Sequence, residues 1–381
     1  MFSKRQCALL LATVFVFSLF TLNTDAFIER TYTVRQILDA CTNIVFGKVE
    51  KVNTKRQTAV IAVEENVKGT SNLTQIKMNF GVGQRRPEST PEKMVALLEV
   101  GKPIIVFYEH RQAINSLGYV SGKWFQTRSS APEGWWNFTH LDPYMARTFR
   151  GTTKEFQKVV RKVLAGEEWT PPEIHVKMLV LAGKDGSRSE YEVIKKIRES
   201  GGCVVNYELT DKHSLPNLDK YHLLWIGYRE ISDGSYRFNK EIEEKIRKFV
   251  FNGGVVIVSG QESGADLPCE TGWWVGELTG VDRATHQDFL ITDRGRTLLF
   301  ETPNHIQPGQ LIFDDGWMAW DGFCEPLATT IDGQHLIVGA RRHGEGLYVV
   351  TSMHNPDAAH VAKNEKLIQN LLHYAAIRTK I

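Results

Sequence analysis

The sequence predicts two domains in one chain: a small antiparallel β-barrel, then an α/β domain with a parallel sheet and helices on both faces. Three observations point there. The chain has 381 residues, enough for more than one buried core. Residues 27–165 hold short segments of β-branched and aromatic residues separated by turns. From Ile174 onward the pattern changes to short apolar strands alternating with amphipathic helices, centred on GGVVIVSGQESG at 253–264.

The first 26 residues read as a leader. Lys4 and Arg5 precede an apolar run from Ala8 to Leu22, and small residues end at Ala26. This is the pattern of a cleaved secretory signal, too short to span a bilayer comfortably. The expected location is therefore secreted or periplasmic, with no membrane span left after cleavage. Lys and Arg number 46 against 44 Asp and Glu, a net charge of +2. That balance gives no drive toward nucleic acid.

In the first domain (27–165), strands are expected at Asn43–Val49, Thr58–Val67, Leu73–Met78, Pro103–Glu109 and Gly118–Phe125. Phe156, Val159, Val160, Val163 and Leu164 then recur at helical spacing, with lysines and Arg161 around the other face. Residues 166–173 end in Pro171-Pro172-Glu173 and read as a stiff linker. In the second domain (174–381), strands are expected at Val176–Leu181, Cys203–Tyr207, Tyr221–Ile226 and Val255–Ser259. Ser187 and Glu190 read as a capping box, and Asn239 as the cap of a helix burying Ile242, Ile246, Phe249 and Val250. Leu267 to Phe323 looks irregular. His335–Ala340 and Leu347–Ser352 read as a strand pair, and Glu365–Ala376 as the last helix.

Two resemblances follow from these stretches. "IVFGKVEKV", "AVIAVEENVKGTSN" and "GKPIIVFYE" resemble the OB-type barrel of the netrin and metalloproteinase-inhibitor-like group. The inhibitors begin their mature chain with cysteine, whereas the first cysteine after the leader here is Cys41, so inhibition is not carried over. "VKMLVLAG", "YHLLWIG", "IRKFVFNGGVVIVSG" and "GEGLYVVTSMHNP" with "NEKLIQNLLHYA" resemble the class I glutamine-amidotransferase-like fold, in its ThuA-like, non-amidotransferase branch. That resemblance implies a flavodoxin-like sheet and a link to sugars.

The amidotransferase families carry a nucleophilic cysteine on the turn after the Val255–Ser259 strand. Here the crest of that turn is Glu262, and His354 stands at the expected histidine position without a following glutamate. Without a thiolate, glutamine hydrolysis by this route lacks its nucleophile and is not expected. Three readings stay open. Glu262 and His354 form a general acid/base pair, or they bind a ligand without chemistry, or Glu262 caps a helix beside a buried histidine. Ser263 lies one position off the crest.

Other candidates surround this turn. Lys184 and Ser187 sit at a helix start that either holds an anion or is an ordinary capped turn. Tyr228 and Arg229 follow the third strand; Gln261, Ser263 and Asn355 flank the crest. Trp317 and Trp320, with Trp135-Trp136 and Trp273-Trp274, either stack on sugars or pack between loops. A carbohydrate or another extracytoplasmic protein is the expected partner. No cofactor is expected. No metal is expected either: the cysteines lack C-x-x-C spacing, and Asp314, Asp315 and Asp321 do not make a calcium loop. Cys269 and Cys324, in loop-like stretches of an exported chain, are the best disulfide candidates. Asn72 and Asn137 begin N-x-T sequons, which matter only on a eukaryotic secretory path.

Overall fold

β-Branched and aromatic residues dominate residues 43–141, and they form seven strands. The computed structural model describes residues 32–82, 91–170, 173–232, 236–262, 269–319 and 321–379. The leader, Ser263 and Trp320 lie outside them. The strands are β1 (Asn43–Asn53), β2 (Thr58–Lys68), β3 (Gln75–Asn79), β4 (Pro103–His110), β5 (Ile114–Val120), β6 (Lys123–Ser129) and β7 (Trp135–Leu141). They close into a barrel in the order β1-β2-β3-β7-β6-β5-β4.

This corrects the expected OB-like antiparallel barrel in two respects. The stretch expected as one strand, Gly118–Phe125, is a hairpin. Ser121 and Gly122 both take positive φ, so the chain reverses between β5 and β6. The barrel also closes on a parallel pair, β3 with β7.

Alternation then decides which residues enter the barrel. Val45, Val49, Ile61, Ile76, Met78, Ile104, Val106, Phe125 and Trp136 belong to one buried cluster. Ile44, Phe46, Ile105, Phe107, Tyr119 and Trp124 belong to another, covered by α1 (Val34–Ala40) and α3 (Thr153–Leu164). A short helix, α2 (Pro91–Val95), lies between β3 and β4. The periodicity expected of α3 is observed: Phe156, Val160 and Val163 are buried, and Thr152 and Glu155 form its capping box.

The second sheet is mixed and eleven-stranded, which corrects the expected parallel, flavodoxin-like layout. Its parallel part runs β10 (Cys203–Thr210), β8 (Ile174–Leu181), β11 (Leu223–Ile226), β12 (Val255–Val258), β18 (Gly346–Thr351). β17 (Leu336–His343) pairs antiparallel with β18. β15 (Gly316–Met318) and β16 (Glu325–Thr329) both pair antiparallel with β17. β13 (Thr279–Val281) pairs with β15, and β14 (Leu290–Ile291) with β16. β9 (Glu199–Ser200) pairs antiparallel with β10 at the far edge. Three strands of this antiparallel extension, β13, β14 and β15, lie in the stretch expected to be irregular. They are two or three residues long, too short to show a period.

Helices cover both faces of the parallel part. Met178, Val180, Leu223, Trp225, Val255, Ile257 and Val349 pack with residues of α4 (Asp185–Ile194) and α6 (Ala358–Ala376). Leu179, Leu181, Leu224, Ile226, Val256, Val258 and Val350 pack with Ile242, Ile246, Phe249 and Val250 of α5 (Lys240–Phe251). Asn239 caps α5 as expected, its side chain accepting from the Ile242 amide. The box expected at Ser187 and Glu190 is displaced: α4 begins two residues before Ser187, with Lys184 at the cap, and Glu190 is buried inside the helix.

Arg147 joins the two sheets' layers. Its Nε donates to the Ile377 carbonyl at 3.1 Å, and its terminal nitrogens meet the Ala376 carbonyl and the Cys203 thiol. The expected Cys269–Cys324 disulfide is not formed; both cysteines are free. Burial pushes each of these thiols up to about 12. Among the described residues, no helix is long and apolar enough to cross a membrane.

Candidate functional site

Four parallel strands end side by side, and the loops that follow them meet in one place. They come so close that two positions admit no side chain. A Cβ on Gly186 would lie 2.2 Å from the Asn355 carbonyl oxygen, and one on Gly260 would lie 2.2 Å from that of Met353.

A buried carboxylate ties the loops together. Glu190 Oε2 accepts from the Trp225 indole and the Tyr228 amide, each at 3.0 Å. Its Oε1 accepts from the Ser259 hydroxyl and, at 2.7 Å, from Asn355 Nδ2. Burial raises the Glu190 pKa, and these four donors work against that rise. One side chain on α4 thus fixes the ends of β11 and β12 and the loop after β18.

Five polar side chains gather above this hub. Arg229 has φ 54, a left-handed conformation rarely taken by a residue with a side chain, and so does Asp315 with φ 56. Arg229 pairs with Glu262, and both side chains stay more than a third exposed, at 36% and 37%. The Arg229 guanidinium also lies over the Tyr228 ring, 5.2 Å from its centroid. His354 Nδ1 lies 2.9 Å from Asp314 Oδ2 and 3.1 Å from the Tyr228 hydroxyl. Burial works against the Asp314 carboxylate, yet its hydrogen bond to His354 and the histidine charge hold it below its ordinary value. Burial raises the Tyr228 phenol.

The sequence-predicted residues divide accordingly. Tyr228, Arg229, Glu262 and His354 do converge. Glu262 and His354 are not joined to each other: no hydrogen bond links them among the described residues. The residues that follow Glu262 lie outside the described ones, so the capping reading lies there too; the Glu262 backbone exchanges hydrogen bonds with Ser232. Gln261 is buried, accepting from the Ile231 amide and donating to the Gly227 and Ser259 carbonyls. Asn355 is buried against Glu190 and Asn364. Both hold the loops rather than face a ligand.

Lys184 and Ser187 do form an anion cradle, but the chain fills it itself. Glu230 Oε1 accepts from the Gly183 and Lys184 amides and from the Ser187 hydroxyl. His213 Nε2 lies 3.3 Å from Glu230 Oε2. Against the penalty of burial, His213, Ser187 and the two amides lower the Glu230 pKa to about 2. The tryptophans mostly pack: Trp136, Trp273, Trp274 and Trp317 are buried, the Trp317 indole donating to the Thr351 carbonyl. Trp135, at 47%, is exposed at the start of β7 of the barrel. A groove of about 480 Å³ opens nearby, between Arg188 and the 210–216 loop, but Tyr228, Glu262 and His354 do not line it. Among the described residues, no cluster of three His, Cys, Asp or Glu side chains is arranged to hold a metal ion.

The sequence reading missed the parts that make these residues a site. The sequence marks Asp314 only as a possible cation ligand, Glu190 only as a cap, and gives Glu230 no role. Asp314 is far from His354 in sequence, so no local motif marks the pair. The bridge between Phe313 and Met353 sets them side by side.

No family model and no curated protein matches the sequence. Among solved structures, the chain is similar to a cytoplasmic protein of Salmonella typhimurium. The match has 11% identity and a TM-score of 0.36, and covers 54% of this chain and 100% of that one. A protein described as ThuA-like from Parabacteroides merdae has 13% identity and a TM-score of 0.34, covering 55% of this chain and 92% of that one. A β-galactosidase of Bacillus circulans has 12% identity and a TM-score of 0.32, covering 58% of this chain but only 33% of the galactosidase.

Proposed function

We propose that the chain is an exported binding protein whose ligand is rich in hydroxyl groups, a carbohydrate in the first instance. One observation carries the reading. Tyr228, Arg229, Glu262, Asp314 and His354 converge from separate loops at the ends of the parallel strands, offering donors and acceptors of both signs in one partly exposed cluster. Such a cluster matches the mixed donor and acceptor character of sugar hydroxyls. It does not depend on stacking by Trp317, whose ring is buried. The leader pattern in the first 26 residues supports export.

The test is a screen of neutral oligosaccharides by thermal shift, followed by titration calorimetry. A true ligand raises Tm in proportion to its concentration. Arg229→Ala and Glu262→Gln each weaken binding by about tenfold, the cost of one charged hydrogen bond, at unchanged far-UV circular dichroism. Binding that is indifferent to both variants overturns the assignment to this cluster. A stable complex with an extracytoplasmic protein and no saccharide shift overturns the carbohydrate.

A further inference from the structure

The pairing of Asp314 with His354 is built from the backbone upward. Phe313 and Met353 form an isolated antiparallel bridge, the Asp314 amide donates to the Ser352 carbonyl at 2.9 Å, and the His354 amide donates to the Ile312 carbonyl at 3.0 Å. The two side chains are held on neighbouring backbones, not on mobile tips. The Asp315 amide donates to Asp314 Oδ1 at 3.1 Å, leaving Oδ2 for the histidine. The ring is also clamped sideways. Tyr228 meets it edge-on at 5.9 Å, and His360, itself held by Asp357 at 2.8 Å, meets it edge-on at 5.1 Å.

The proton on this ring can be located. An ionised carboxylate only accepts, so Asp314 requires the proton on His354 Nδ1, and the Tyr228 hydroxyl oxygen faces the same N–H. A neutral imidazole so held carries its lone pair on Nε2. Nε2 makes no hydrogen bond among the described residues, and the side chain remains 15% exposed. A carboxylate fixing the tautomer of an imidazole whose other nitrogen is free is the arrangement of a general base.

The Ser259 hydroxyl is committed to Glu190, and the Cys269 and Cys324 thiols are far from ionising near neutral pH. We propose that Asp314 and His354 form an acid–base dyad that hydrolyses an acyl ester of a hydroxylated ligand bound in this cluster. The proposal rests on the binding reading above and adds chemistry to it. His354 Nε2 takes a proton from a bound water as the water oxygen adds to the acyl carbon. The imidazolium then returns that proton to the alcohol oxygen as the ester C–O bond breaks. The products are a carboxylic acid and the free hydroxyl compound. His354 is the general base, and Asp314 is a positioning residue.

Two measurements on the full chain test this. The first is the ¹⁵N signature of His354, assigned by its loss in His354→Gln. In the neutral ring, Nδ1 is expected to be protonated and Nε2 bare, with Asp314→Asn disturbing that preference and Asp314→Glu retaining it. The second is hydrolysis of 4-nitrophenyl acetate as probe ester. His354→Gln lowers turnover by about 10²-fold, a usual contribution of one general base. Asp314→Asn lowers kcat more than it changes KM, and Asp314→Glu recovers part of the loss. An Nε2-protonated tautomer overturns the dyad, and so does probe hydrolysis unchanged in His354→Gln. Neither result touches saccharide binding, which is measured without turnover. Conversely, a working dyad in a protein that binds no saccharide sinks the binding reading and leaves the chemistry.

Discussion

Glu190 and Glu230 show how two buried acids do different work a few ångströms from one cluster. Glu190 is spent on four donors that hold three loops, so it sets where Tyr228 and Asn355 stand. Glu230 occupies the amide cradle at the start of α4, where an external anion would otherwise sit. Its pKa is about 2 against an ordinary 4.5, so the sign of its pH dependence follows. The group contributes its full stability above pH 4.5, and that contribution is lost as the pH falls from 4.5 toward 2. Urea unfolding of wild type and Glu230→Gln across this range measures it. The stability gap between the two is expected to be widest above the window, on the order of 2 kcal/mol, and to close as Glu230 protonates. A gap independent of pH would mean that the carboxylate charge is not what the cradle holds.

Among the elements, the helices and the longer strands are legible, and the shortest strands and tightest turns are not. α3 and α5 announced themselves through apolar spacing and polar caps, and their buried faces are the ones expected. β8, β11 and β12 were visible as apolar runs because both sides of a covered parallel strand are buried. β5 and β6 read as one strand in the sequence because Ser121-Gly122 is short enough to hide inside an alternating pattern. The pairing of β3 with β7, and of Asp314 with His354, depends on tertiary packing that no local spacing encodes. Caps offer a clean check at this scale. Asn239→Ala removes the acceptor for the Ile242 amide and is expected to cost about 1 kcal/mol. The loss is read by thermal unfolding, and Asn239→Asp should restore most of it. Equal stability in all three proteins would show that water replaces the cap.

Across the whole molecule, one buried arginine links the end of the barrel to the second sheet. Arg147 follows the last barrel strand, yet its guanidinium caps the carbonyls at the end of α6 and touches the Cys203 thiol at the foot of β10. Arg147→Met keeps the apolar stem and removes every donor, leaving the Ala376 and Ile377 carbonyls without them. The expected loss is about 2 kcal/mol, with faster amide exchange in the last turn of α6 and little change within the barrel strands. Exchange that quickens equally in both sheets would instead mean that Arg147 supports the molecule as one cooperative unit.

The parallel seam of the barrel has a further consequence, for how the chain is made. β1, β2 and β3 leave the ribosome early and pair as neighbours, but the strand that covers the outer edge of β3 is β7, the last of the set. Until Leu141 has emerged, the nascent chain therefore carries an open strand edge beside the apolar residues Ile76 and Met78. Translation speed through residues 80–141 becomes part of this protein's folding problem. A pause late in that interval prolongs the exposure, and one after it gives the seam time to shut.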